Sequence, residues 1–107
     1  MYLDREKIRE ELGIDEETYH ELLGELIIQA KDFIEKLDEA IHADDFDQAA
    51  RIAHALRGMV GNFRIEEIQN IARSIELGSK NDKDKKAVEA DMARLKTSFH
   101  ELEQFLS

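Results

Sequence analysis

Residues 49–63 read Ala49-Ala50-Arg51-Ile52-Ala53-His54-Ala55-Leu56-Arg57-Gly58-Met59-Val60-Gly61-Asn62-Phe63. On a helix that advances about 100° per residue, Ala49, Ile52, Ala53, Leu56, Met59, Val60 and Phe63 share one apolar arc, the face a helix docks into a core. His54 falls almost opposite the centre of that arc and is expected to face solvent. Ala50, Arg51, Arg57, Gly58 and Gly61 surround it at neighbouring helical positions. Each glycine costs about 1 kcal/mol against alanine in a helix interior. A segment that accepts that cost beside a histidine trades helix stability for access to the ring.

The rest of the chain agrees with a helical reading. Its 107 residues suit a single domain spanning the whole chain. There is no proline, there are only five glycines, and Glu, Lys, Leu, Ala and Ile are abundant, a composition that favours helix and leaves little punctuation for β-turns. Without cysteine there is no disulfide framework, thiolate nucleophile or cysteine-based zinc site. No apolar run approaches the ~20 residues of a membrane span and no signal-peptide pattern opens the chain, so a cytoplasmic protein is expected. A net charge of −10 argues against sequence-independent nucleic-acid binding and against anionic membrane surfaces. Most of that charge reads as a solvated surface. Arg51 and Arg57 form a basic spot within it.

Taken in order, Asp4 caps a short helix over Arg5–Glu11 that Gly13 ends, with Leu3, Ile8 and Leu12 as its apolar face. Asp15, with Thr18 as the competing cap, opens a long helix. Its apolar row is Tyr19, Leu22, Leu23, Leu26, Ile27, Ala30, Phe33, Ile34, Leu37 and Ile41, about six turns at helical spacing. His42 to Asp45 break the chain, and Asp44 or Asp45 caps the His54 helix, which is expected to bend or stop near Phe63. Ile65, Ile68, Ile71, Ala72 and Ile75 define the next helix, closed by Gly78 as a left-handed cap. The last helix starts near Asp82 and packs through Val88, Met92, Leu95, Phe99, Leu102 and Phe105 or Leu106. Short connections make consecutive helices antiparallel. The expected fold is all-α, an antiparallel up-down-up-down four-helix bundle with a short N-terminal capping helix.

His54, Arg57 three residues on, Gly58 four on, and Gly61-Asn62-Phe63 beyond resemble the signature of histidine-containing phosphotransfer domains of two-component phosphorelays. The layout from Thr18 to Leu77 is similar to the family's, while the specific motif spans about ten residues. Met59 and Val60 stand where the family commonly carries small Ser or Ala, which alters packing and leaves the chemistry untouched.

The resemblance implies that His54 accepts a phosphoryl group from an aspartate or histidine of a partner and hands it on. Arg57, one turn away, would stabilise phosphoryl oxygens, and Gly58, lacking a Cβ, would let the partner's active site press against the ring. Ala50, Arg51, Gly61, Asn62 and Gln69 are expected on the partner-binding face. Arg51 is a second candidate for phosphate or for a receiver's acidic rim, Asn62 reads more as a helix-end residue, and Gln69 is a candidate to orient the imidazole. The implied partners are response-regulator receiver domains or a hybrid sensor kinase, with the receiver supplying Mg²⁺, and the expected carrier is a monomer with no cofactor of its own.

A lone surface histidine is ordinarily inert, a lone arginine a solvated charge and a pair of glycines a kink; their joint spacing on one face favours chemistry. His20, His42 and His100 lack such surroundings and read as surface residues. Glu17-x-x-His20 and Glu39-x-x-His42 match an element of di-iron bundles, but they lie 22 positions apart on one helix, roughly 33 Å, so no metal site is expected. No Walker-type loop and no nucleophile elbow is present, so the chain is not expected to be an enzyme with its own ATP site. The rival function is a helical adaptor that binds a receiver or kinase without accepting phosphate. A further alternative is the phosphoacceptor domain of a chemotaxis-type kinase, against which Met1 and the compact end are taken to argue.

Overall fold

The apolar rows at 3.6-residue spacing become five α-helices in a computed structural model that describes residues 4–82 and 84–106, the side chain of Asp82 excepted. They are α1 (Arg5–Leu12), α2 (Glu16–His42), α3 (Phe46–Gly61), α4 (Glu66–Leu77) and α5 (Lys85–Leu106). Among the described residues there is no strand. The helix starts follow local chemistry, in which an aspartate oxygen accepts from an otherwise orphaned backbone N–H. Asp4 accepts from Lys7 N at 3.0 Å, Asp15 from Thr18 N at 2.7 Å, and Asp45 from Gln48 N at 3.1 Å. Asp15 therefore caps α2 with Thr18 as its donor, and Asp45, not Asp44, caps α3. Asp44 takes the left-handed conformation (φ 57°) in the preceding turn.

Helices α2 to α5 form a ring in which α2 packs on α3 and α5, and α4 packs on α3 and α5. The connections at 43–45 and 62–65 are too short to do anything but reverse the chain, giving an antiparallel four-helix bundle. The core is the union of the apolar rows. Tyr19, Leu23, Leu37 and Ile41 of α2, Leu56 and Val60 of α3, Ile68 and Ile75 of α4, and Val88, Leu95 and Leu102 of α5 are all buried. Each large aliphatic side chain removed from water stabilises the fold by about 1.5–3 kcal/mol. The small α1 closes one end: Ile8 is buried, Arg5 lies 5.9 Å from the Tyr19 ring centroid, and Glu11 pairs with Arg64 at 3.3 Å. Leu3, expected on its apolar face, lies outside the described residues.

Three expectations are corrected. Leu22 is 39% exposed; it sits at the edge of the α2 arc, beside the buried row of Tyr19, Leu23 and Leu26. Gly78 is not a left-handed cap. Its φ of −62° and ψ of −38° are right-handed, because the chain runs on through a turn of π-helix, Gly78–Asp82, that buries Ser79. Here the glycine serves packing, since a Cβ would come within 3.2 Å of Val88 Cγ2. Finally, α5 begins at Lys85, with Asp84 accepting from Lys86 N at 3.1 Å, slightly later than Asp82. At the end of α3, Gly61 is the last helical residue and Asn62 its C-cap, and the left-handed turn residue is Arg64 (φ 58°).

Candidate functional site

Burial of Ile52, Ala53, Leu56 and Val60 fixes the rotation of α3 and turns His54 outward, its side chain 64% exposed. Opposite it, α4 buries Ile68, Ile71, Ala72 and Ile75. Ile68 and Ala72 form a row at four-residue spacing, and the next member of that row is Glu76. A carboxylate thus continues a buried row and meets α3 with its side chain only 5% exposed. Its Oε2 lies 2.9 Å from His54 Nδ1.

Three positively charged or protic groups surround Glu76. Besides the imidazole, Arg57 Nε is 3.5 Å from Oε1 and Lys80 Nζ is 3.5 Å from Oε2. Arg57 Nη2 also lies 3.0 Å from His54 Nδ1, so a carboxylate oxygen and a guanidinium approach the same ring nitrogen. The proton belongs on Nδ1. A bare Nδ1 would set its lone pair against a buried carboxylate oxygen, which needs a donor, whereas Arg57 already has Glu76 as its counter-charge. Nδ1–H therefore donates to Glu76, and Oε1, which has no hydrogen bond of its own, is held by the charge of Arg57. Burial is the largest influence on Glu76 and pushes its pKa up. The His54 hydrogen bond, with the charges of Arg57, His54 and Lys80, outweighs it and holds the carboxyl below its ordinary value.

The other anticipated residues lie along α3, at its end and on α4. Arg51 lies one turn before His54, its Nε and Nη2 donating to Gln48 Oε1 at 3.2 and 3.0 Å. It lines a groove with Asp47, Ala50, His54, Glu76 and Lys80. Ala50 is only 5% exposed, so it forms the groove's floor and offers a partner little surface of its own. Gly58 is exposed, with nothing within 4 Å of where a Cβ would stand. Gly61 is different, because a Cβ there would come within 2.8 Å of Gln69 Nε2. Its smallness makes room inside the protein for Gln69, which lies in a second groove with Arg57, Glu66, Asn70 and Arg73. Gln69 makes no hydrogen bond to the imidazole; Glu76 holds that position. Asn62 is exposed at the helix end, its carbonyl accepting from Arg64 Nη1 at 3.2 Å.

Sequence reasoning missed Glu76 and Lys80. Twenty-two residues separate Glu76 from His54, so no helical spacing links them. The available signal was the acidic residue continuing the Ile68–Ala72 row. An exposed imidazole with its proton fixed on Nδ1 and a free Nε2 is equipped to act as a nucleophile.

The model of the Hpt domain family matches residues 21–105. No curated protein and no solved structure matches the chain.

Proposed function

This chain belongs to the Hpt domain family of two-component signalling, and from that premise we propose that it is a phosphocarrier that takes up a phosphoryl group on His54 Nε2 and exchanges it with the aspartate of a receiver domain. The observation that carries the reading is the 2.9 Å contact between Nδ1 of an exposed His54 and the buried carboxylate of Glu76. With the proton held on Nδ1, the lone pair of Nε2 is free to attack phosphorus, and the positive charge that develops on the ring is opposed by Glu76. Phosphoryl transfer has a loose transition state, so positioning and charge supply most of the catalysis. Arg57 and Arg51 flank the ring with positive charge. Gly58, one turn away, leaves open space through which a partner's reacting aspartate reaches His54.

The receiver, or a hybrid sensor kinase that carries one, brings the second reacting group and its Mg²⁺. The carrier contributes no ATP site and acts as a monomer. The test is phosphate incorporation from a phosphorylated receiver domain, followed by acid and alkali treatment. Label that is acid-labile, alkali-stable and lost in His54→Gln, with helicity unchanged by circular dichroism, is the expected result. Binding without label, and with affinity unaltered by His54→Ala, would replace the carrier with an adaptor.

A further inference from the structure

Lys80 was not among the residues the sequence singled out, yet its ammonium shares one carboxylate oxygen with the imidazole. His54 Nδ1 and Lys80 Nζ both approach Glu76 Oε2, at 2.9 and 3.5 Å, whereas Arg57 Nε approaches Oε1, at 3.5 Å. The two cations therefore have different standing. Among the described residues, Arg57 alone places a charge on Oε1, which has no hydrogen bond of its own. Lys80 duplicates a contact that the ring already makes. Only a neutral ring can act as the nucleophile, and in that form the buried carboxylate beside it needs other cations nearby.

We propose that Lys80 is a phosphoryl-binding cation parked on Glu76, which moves to the phosphoryl oxygens when His54 is phosphorylated. The proposal rests on His54 being the phosphoacceptor. In the forward step the Nε2 lone pair forms the N–P bond, and the acyl-phosphate P–O bond of the donor aspartate breaks with its electron pair returning to the carboxylate. Nδ1 keeps its proton, so the ring becomes a cation hydrogen-bonded to Glu76 Oε2. That new charge replaces Lys80 at the same oxygen. The phosphoryl group meanwhile brings about −1.5 to −2 charge to the other ring nitrogen, beside the groove that Lys80 lines with Asp47, Ala50 and Arg51. Asp47 and Glu76 are the acidic members of that lining, which increases the need for a cation there. Lys80 is 59% exposed against 31% for Arg57, and its ammonium carries three donors on a flexible stem. Its backbone is fixed by the π-helical turn through the buried Ser79, so only the side chain has to swing. In the reverse step an aspartate oxygen attacks phosphorus, the N–P pair returns to Nε2, the ring is neutral again, and Lys80 goes back to Glu76. No proton is transferred in either direction.

Phosphoramidate is the probe, because a small donor reacts without any docked partner: Nε2 attacks its phosphorus and ammonia leaves with the P–N electron pair. Wild type, Lys80→Met and Lys80→Arg are compared by the rate of His54 phosphorylation and by ³¹P NMR titration of the phosphorylated proteins. Loss of one charge-assisted contact should slow Lys80→Met roughly three- to tenfold and move its phosphoryl titration to higher pH, while Lys80→Arg stays close to wild type. If Lys80→Met phosphorylates and titrates like wild type, the proposal is overturned. It is equally overturned if the only change is in the ring titration of unphosphorylated His54, which would make Lys80 a fixed screen for Glu76. Failure of the carrier reading itself would look different, as absence of phosphohistidine in the wild type with phosphoramidate and receiver alike.

Discussion

Gly58 occupies a helix interior, has a right-handed neighbourhood on both sides, and touches nothing where a side chain would stand. No packing reason explains it, unlike Gly61, which makes room for Gln69, or Gly78, which makes room for Val88. Replacement by alanine should therefore stabilise the protein by about 0.5–1 kcal/mol, because alanine loses less backbone entropy on folding. Urea denaturation measures that gain. A large side chain at the same position should leave folding intact and slow phosphoryl exchange with a receiver by standing over His54. An unchanged exchange rate would show that the partner does not approach across Gly58.

The helices differ in what holds their ends. Starts of α1, α2 and α3 each have an aspartate accepting from the backbone, whereas the N-cap of α4 is Ile65, which offers no side-chain cap. Ile65 is instead fully buried, so tertiary packing positions the start of α4, and with it Glu76 about three turns later. For α3 the cap matters directly to the site, because Asp45 fixes the first turn of the helix that carries His54. Asp45→Ala should cost about 1 kcal/mol, seen as a lower urea midpoint with an unchanged slope. Faster amide exchange should be confined to the first turn of α3. A loss spread over all five helices would indicate that Asp45 does more than cap.

For the whole bundle, cross-element ion pairs such as Lys96–Asp38 at 3.1 Å and Lys85–Asp44 at 2.7 Å are open to solvent on at least one side and contribute little. Stability rests on the buried apolar rows, and its pH dependence is concentrated in carboxylates that folding alters. Glu76 is held below its ordinary value of 4.5 in the folded protein. Ionised Glu76 thus contributes stability that is fully present above that value and is lost as pH falls through its lower native pKa. Asp15 is shifted in the same direction by its cap hydrogen bond to Thr18 and is common to wild type and variant. Glu76→Gln should therefore flatten the loss of unfolding free energy between about pH 5 and pH 3 without removing it. Parallel curves for the two proteins would mean that Glu76 is not coupled to folding.

Much of this was legible along the chain because helical spacing is a local property. The 3.6-residue rows predicted the helices, the buried face of α3 and hence the outward turn of His54, and the aspartates predicted the starts of α1, α2 and α3. One error arose where a residue type serves two purposes. Gly78 reads as a left-handed cap in sequence and is a packing glycine in the fold. The candidate site divides along the same line. His54, Arg57 and Gly58 share one helix, so their juxtaposition follows from spacing alone. Glu76 and Lys80 reach His54 from the next helix and the π-helical turn, across a distance in sequence that no period spans. Only the docking of α4 on α3, set by the burial of Ile68, Ala72 and Ile75, decides that the imidazole meets a carboxylate and not Gln69. That contact in turn decides which ring nitrogen is free.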